Sequence, residues 1–296
     1  MGVSIPRRRI EEFAALYEFE PEVIDFFVEG RSDRVLIEHV LEGTGARVRV
    51  WEAGDVDIPS SLVAEIDESI GARGRIIALS HELEKLLHDE EREYPVLCIT
   101  DADFDHILQP TVPSSRFLVK TDFSCIESYY WNLKVLRKYL KLSLHETVPF
   151  TAEDLMTRVE SAMREIYLMR LAAASLALNF SWIDPASCCG DARKGGDFDR
   201  EIYLTKLLNK NSAAPMKRKI EESIDRFRTN LPEDARHLVH GHDLCKLISW
   251  LIKPHMRDRN LIAEEVISRS LACCIESADL IKYPLFARIG KFATIS

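Results

Sequence analysis

The sequence predicts an α/β protein: an N-terminal Rossmann-like domain with a mainly parallel sheet, followed by a mainly α-helical C-terminal part. Three observations lead there. Short runs rich in Val, Ile and Phe alternate with amphipathic stretches as far as about residue 122. From Phe123 onward the apolar spacing is helical. Acidic residues stand immediately after two of the apolar runs. The chain is accordingly divided at 1–145 and 146–296.

The first run, "EVIDFFVEG", reads as a strand through Val23, Ile24, Phe26, Phe27 and Val28, closed by Gly30. Ser32 is the expected N-cap of a helix over "DRVLIEHVLEG", whose apolar Val35, Leu36, Val40 and Leu41 share one side and whose stop is Gly43. "ARVRVW" alternates at period two, a second strand. Helices are expected near "SSLVAEIDESI" and over "RGRIIALSHELEKLLHDEE". "PVLCITD" and "RFLVKTD" supply the third and fourth strands. Strand–helix–strand spacing of this kind requires crossovers and so favours parallel pairing. The second half reads as helices over "FSCIESYYWNLKVLRKYLKL", from "TAED" onward, and over "PMKRKIEESIDRFRTNL", "GHDLCKLISWLIK" and "NLIAEEVISRSLACCIE". "DPASCCGDARKGGDFD" is the expected loop.

Composition bounds the functions that fit. With 46% apolar and 29% charged residues in 296, the chain has an ordinary globular balance. Its most apolar stretch, from Ile166, is broken by Arg170 and reads as a buried helix, so no membrane association is expected. The start, "MGVSIPRRRIEEF", lacks the apolar centre of a secretory signal. The cysteines are seven, an odd number, and two pairs are directly adjacent, which points to free thiols in a reducing cytoplasm. Residues 1–148 carry 17 basic and 28 acidic side chains, the remainder 22 and 20. A general polyanion binder is therefore excluded. A nucleic-acid partner would need cations at the acidic half, or basic faces such as Lys134/Arg137/Lys138/Lys141, Lys217/Arg218/Lys219 and Lys282/Arg288/Lys291.

The chemistry sits in the acids. In open α/β sheets ligands bind beyond the carboxyl ends of the strands. Glu29 ends the first strand; Asp101 and Asp103 end the third, with Asp105 close behind. Two like charges ~4 Å apart repel by roughly 4 kcal/mol at an effective dielectric of 20. One or two Mg2+ (or Mn2+) ions would reverse that penalty and create a site able to clamp a phosphodiester. The alternative is a polar loop in which the aspartates make Asx-turns.

"FFVEGRSDRVLIEHVL" followed by "VLCITDADFDHI" resembles the TOPRIM catalytic fold, in which a Glu ends the first strand and an Asp-x-Asp the third. The OLD-like branch is similar again in placing a second acid four residues after the Glu, here Asp33. "LVKTDFSCIESYY" resembles the Asp-plus-Glu segment of small TOPRIM effectors in PARIS-type anti-phage systems, and "GHDLCKL" their late Gly-containing motif. The resemblance covers about residues 23–130. It implies a metal-dependent nuclease with Glu29, Asp101 and Asp103 as core ligands, Glu29 alternatively as general base, and Asp33 and Glu127 as supporting ligands. Asp122 is a weaker candidate. Lys120, ending the fourth strand, would face the phosphate as a point charge. The late lysine of OLD-like nucleases has no sure match, and His240 or His242 near Gly241 would stand in its place.

The resemblance further implies a toxic effector controlled by an OLD/ABC-type ATPase encoded nearby, a homodimer in the active state, and RNA, tRNA included, ahead of DNA as substrate. The OLD branch instead implies a DNA nuclease, and a non-catalytic TOPRIM-derived sensor or scaffold is the third reading. A haloacid-dehalogenase-type phosphatase would leave Glu29 unexplained, and no G-x-x-x-x-G-K-[ST] occurs, so the chain is not expected to bind ATP through a P-loop. Simpler readings stand beside several residues: an S-x-x-E capping box from Ser124 to Glu127, Asp33 complementing a helix dipole, His106 as a loop residue, and Arg73 and Arg75 in surface salt bridges rather than phosphate contacts. His237, His240, His242 and Cys245 resemble a zinc set but lack a second ligand pair. Trp250, Leu251 and Ile252 either face a partner or close the core.

Overall fold

The computed structural model describes residues 7–42, 44–66, 71–89, 91–108, 114–145 and 147–294. Gly43 and residues 67–70 of the "SSLVAEIDESI" segment lie outside the described residues.

Contacts group the chain into two compact units, and the grouping is discontinuous. The first unit opens with β1 (Arg8–Arg9) and α1 (Ile10–Phe19), then β2 (Ile24–Val28), α2 (Arg31–Leu41), β3 (Val48–Glu52) and β4 (Val56–Asp57). It continues through α3 (Ser60–Ile66), α4 (Ala72–Leu86), β5 (Val96–Thr100) and β6 (Leu118–Lys120). Four of these strands form one parallel sheet in the order β3-β2-β5-β6; β1 and β4 pair separately. Parallel sheets need cover on both faces. Accordingly, all five residues of β2 and all five of β5 are buried. Phe27, Val96 and Cys98 pack with Phe13 and Tyr17 of α1 and with Ile76, Leu79 and Leu83 of α4.

The opposite face explains why the unit is not contiguous. After the second unit, α5 (Leu133–Lys138), α6 (Ala152–Ser175), α7 (Arg200–Lys210), α8 (Lys217–Arg228), α9 (Gly241–Ile252) and α10 (Glu264–Cys274), the chain returns as α11 (Ser277–Leu280) and α12 (Pro284–Thr294). Phe292 meets Phe26 of β2 edge-on at 6.3 Å, and Ser277 Oγ donates to the His39 carbonyl of α2 at 3.3 Å. Leu280, Leu285, Phe286 and Ile289 are buried. A single cut after residue 145 differs from this grouping because the apolar run of α12 completes the sheet's second face, while 123–145 pack with the helical unit.

Local differences follow from capping. The N-cap of α2 is Gly30, not Ser32, and the Asp33 carboxylate accepts the Gly30 N–H at 2.8 Å. The expected long helix from Phe123 is broken into a 3₁₀ turn (Ile126–Tyr130), α5 and a π turn (Tyr139–Ser143), because Asn132 caps a new start by accepting the Val135 N–H. α6 begins as read: Thr151 accepts from Asp154 N–H at 3.1 Å and Asp154 reciprocates.

A charged side chain, Asp25, is embedded in the first core. Asp25, fully buried, faces Arg49 across the β2–β3 register. Its carboxylate accepts from Arg49 Nε (2.7 Å) and Nη2 (2.6 Å), Trp51 Nε1 (2.8 Å) and Tyr17 O–H (3.0 Å). Four donors satisfy a carboxylate that would otherwise be costly to bury. Removing it leaves Arg49 without its partner. Asp25→Ala is expected to lower stability by about 3 kcal/mol or more, read as a fall in the urea midpoint; an unchanged midpoint would contradict this role.

Candidate functional site

The order β3-β2-β5-β6 places a topological switch point between β2 and β5: the chain leaves β2 towards one edge and β5 towards the other. Such a point opens a crevice at the carboxyl ends of the two central strands. Glu29 is the residue after β2 and Asp101 the residue after β5. They meet: Glu29 Oε1 accepts the Asp101 backbone N–H at 2.9 Å. Both side chains are half-buried. The β5–β6 pairing continues past its last ladder residues, since Thr121 N–H donates to Thr100 O at 2.9 Å and Thr121 Oγ1 accepts the Ala102 N–H at 2.9 Å. Lys120 stands opposite Thr100 at the same end of the sheet. Asp122 accepts from Leu285 N–H, in the first turn of α12, at 3.3 Å.

In the second unit, the segment from Asp103 is drawn onto the one from Phe123. Asp103 N–H donates to Ser124 O at 2.7 Å, and Asp103 has φ 45°. A non-glycine residue in this left-handed region is strained, although Asp tolerates it better than most. Ser124 Oγ reaches the carbonyls of Val239 (2.6 Å) and Arg236 (3.0 Å). Three separate segments thus converge around residues 103, 124 and 239.

Glu127 and Gly241, read from different motifs, are in contact. A Cβ at Gly241 would lie 2.5 and 2.8 Å from the two Glu127 carboxylate oxygens and closer still to their carbon. The carboxylate therefore rests on the first residue of α9, where unpaired N–H groups and the helix dipole favour an anion. The S-x-x-E box does not form in that register: the 3₁₀ turn is capped at Cys125, whose N–H donates to Ser128 Oγ at 3.4 Å.

The histidines divide into pairs. His106 and His237 meet edge to face with centroids 4.4 Å apart, and His240 lies 6.1 Å from His242. His240 Nδ1 is 3.4 Å from Asp243 Oδ2, which accepts from half-buried Arg170 Nε at 2.7 Å. Burial, and next the Arg170 guanidinium, push His240 down to about 4. His237 is also lowered, by burial and then by His106. Burial raises the Cys245 thiol to about 12.

Among the described residues no three His, Cys, Asp or Glu side chains are grouped so as to hold a metal ion. The zinc set of His237, His240, His242 and Cys245 is not assembled. Mg2+ commonly uses one or two carboxylates and takes its other ligands from water and substrate phosphate, so Glu29 and Asp101 are the acids at this edge that could hold one. Asp33 serves its own helix start. Arg75 bonds the carbonyls of Ala53 and Val56 instead of forming a surface salt bridge. Several basic faces are ion-paired, as in Lys217–Glu221, Arg218–Glu222 and Lys282–Asp279. Leu251 and Ile252 are buried, and Trp250 Nε1 donates to Gly190 O at 2.9 Å, so this stretch closes the helical core. The sequence reading missed Thr121 and gave Ser124 only a capping role, although both lie in "TDFS" directly after the fourth strand. No protein-family model matches the chain, and no curated protein matches it.

Gly241→Ala is expected to cost about 1–3 kcal/mol through overlap with Glu127. Adding Glu127→Ala should recover much of that loss in a double-mutant cycle of thermal or urea unfolding. Strict additivity would contradict the contact. A second expectation concerns pH. His240 stays neutral in the folded chain while the unfolded chain takes up a proton near pH 6.5, so its contribution is full above 6.5 and is lost as pH falls towards 4. His240→Asn should flatten the fall in stability across that interval; an unchanged slope would place the titration elsewhere.

Proposed function

We propose that the chain is a divalent-metal-dependent TOPRIM-type nuclease. The observation that supports this reading is the meeting of Glu29 and Asp101 at the switch point of a parallel sheet. Two carboxylates there concentrate negative charge where α/β proteins bind ligands, which favours a cation. A bound Mg2+ or Mn2+ ion, one or two in number, would supply Lewis-acid stabilisation of charge developing on a phosphodiester. Glu29 and Asp101 would hold it. Asp103, two residues further along the chain, and Glu127 are the further acids that the TOPRIM resemblance brings. Lys120 would oppose phosphate charge as a point cation.

The same resemblance implies the toxic effector of an anti-phage system, held by an ATPase partner and active as a homodimer, and the cysteine usage points to a reducing cytoplasm. Structurally, no helix among the described residues is long and apolar enough to cross a membrane. RNA is the preferred substrate, with tRNA first, since its folded loops offer unpaired bases and 2′-hydroxyls. A second reading, a TOPRIM-derived scaffold that binds a partner without cleaving, is favoured by the lack of a three-ligand group among the described residues.

Purified chain with Mg2+, alone and with its ATPase neighbour, is to be offered total tRNA and plasmid DNA. Cleavage should fall by about 100-fold or more in Glu29→Gln and in Asp101→Asn, the scale on which a transition-state electrostatic contact acts, and should stop on chelation. Cleavage that survives both substitutions would overturn the site. Silence of the wild-type chain under every condition would favour the scaffold.

A further inference from the structure

The histidine that follows the acids is placed in a way the metal reading does not use. In the segment after Asp103, Phe104, Ile107 and Leu108 turn inward against the helical core, with Phe104 5.3 Å from Tyr167. His106, between them, is exposed. Its ring sits edge to face on His237, and the His237 ring continues to Phe123 at 5.2 Å. The Arg236 guanidinium covers the Phe123 ring at 4.1 Å. The result is a ladder of flat groups from the core to the surface, ending on an imidazole that has no hydrogen-bond partner among the described residues. His237 Nδ1 is buried and likewise without one.

Exposed flat rings held in place by neighbouring rings are the groups on which unpaired bases stack, because every base has a π-face, and His106 is exposed while its ring is held edge to face by His237. A metal is the weaker occupant, since no three-ligand group includes these histidines among the described residues. We propose that His106, seated on His237, is a stacking platform for an unpaired nucleobase of a single-stranded nucleic acid. The proposal rests on the nuclease reading and names how its substrate strand is gripped three residues beyond Asp103.

The test uses the full-length Glu29→Gln chain, which should bind without cleaving, and fluorescein-labelled 12-mers of single-stranded RNA, single-stranded DNA and a fully abasic strand. Adding His106→Ala should weaken binding of the base-bearing strands about tenfold, within the range for loss of one stacked base. His106→Phe should stay within about threefold of the parent. The abasic strand should not distinguish the variants, and the RNA and DNA arms show which strand is preferred. Equal affinity of the parent and His106→Ala, or equal weakening by Ala and Phe, overturns the platform. Glu29-dependent cleavage by the wild-type chain would then leave the nuclease reading standing. A parent that binds neither strand, with a wild-type chain that cleaves neither, ends both.

Discussion

Glu29 can accept the Asp101 N–H only because β2 and β5 are adjacent, parallel and in one register. Phe27 lies opposite Cys98, which brings the residues just beyond both strands to the same edge. A slip of one residue would turn every side chain of β2 to the other face. The slip would take the buried Asp25 carboxylate away from its four donors, which holds β2 in place. The Asp25–Arg49 pair fixes the next register over, at the opposite end of β2 from Glu29. The amide bond to Glu29 is thus the visible end of a constraint spread through the sheet.

Much of this was legible in the sequence. Period-two and continuous apolar runs gave the four sheet strands, and their spacing required crossovers, hence parallel pairing. The acids after "FFV" and "LCIT" then had to fall at one edge once those strands were neighbours. What was not legible depends on contacts distant in sequence. Nothing in "PLFARIGKFAT" announces that it covers the sheet begun by "IDFFV", because an amphipathic helix does not state which apolar face it meets. The α2 start lies two residues before the expected one: Ser32 is the stronger capping residue by preference, yet Gly30 takes the extended conformation and Asp33 supplies the reciprocal bond.

The second unit shows how motifs acquire meaning by meeting. "CIESYY" and "GHDLCKL" are separated by more than a hundred residues, yet a glycine in one is required by a carboxylate from the other. The arrangement also accounts for Glu127 without a metal, since the start of α9 favours an anion. Asp33 and Asp122 have helix starts of their own. Glu29 and Asp101 are the acids whose meeting crosses between sheet strands, and for that reason they carry the functional reading. Burial, and next the Arg170 guanidinium, leave the His240 imidazole neutral, a different service from the metal ligation its spacing suggested.

Diffraction from crystals soaked in Mn2+, recorded for anomalous scattering, tests the central claim most directly. The expected result is a peak coordinated by the Glu29 and Asp101 carboxylates in the wild-type chain and lost in Glu29→Gln. A peak elsewhere, or a well-ordered wild-type edge that binds no ion under saturating Mn2+, would contradict the account.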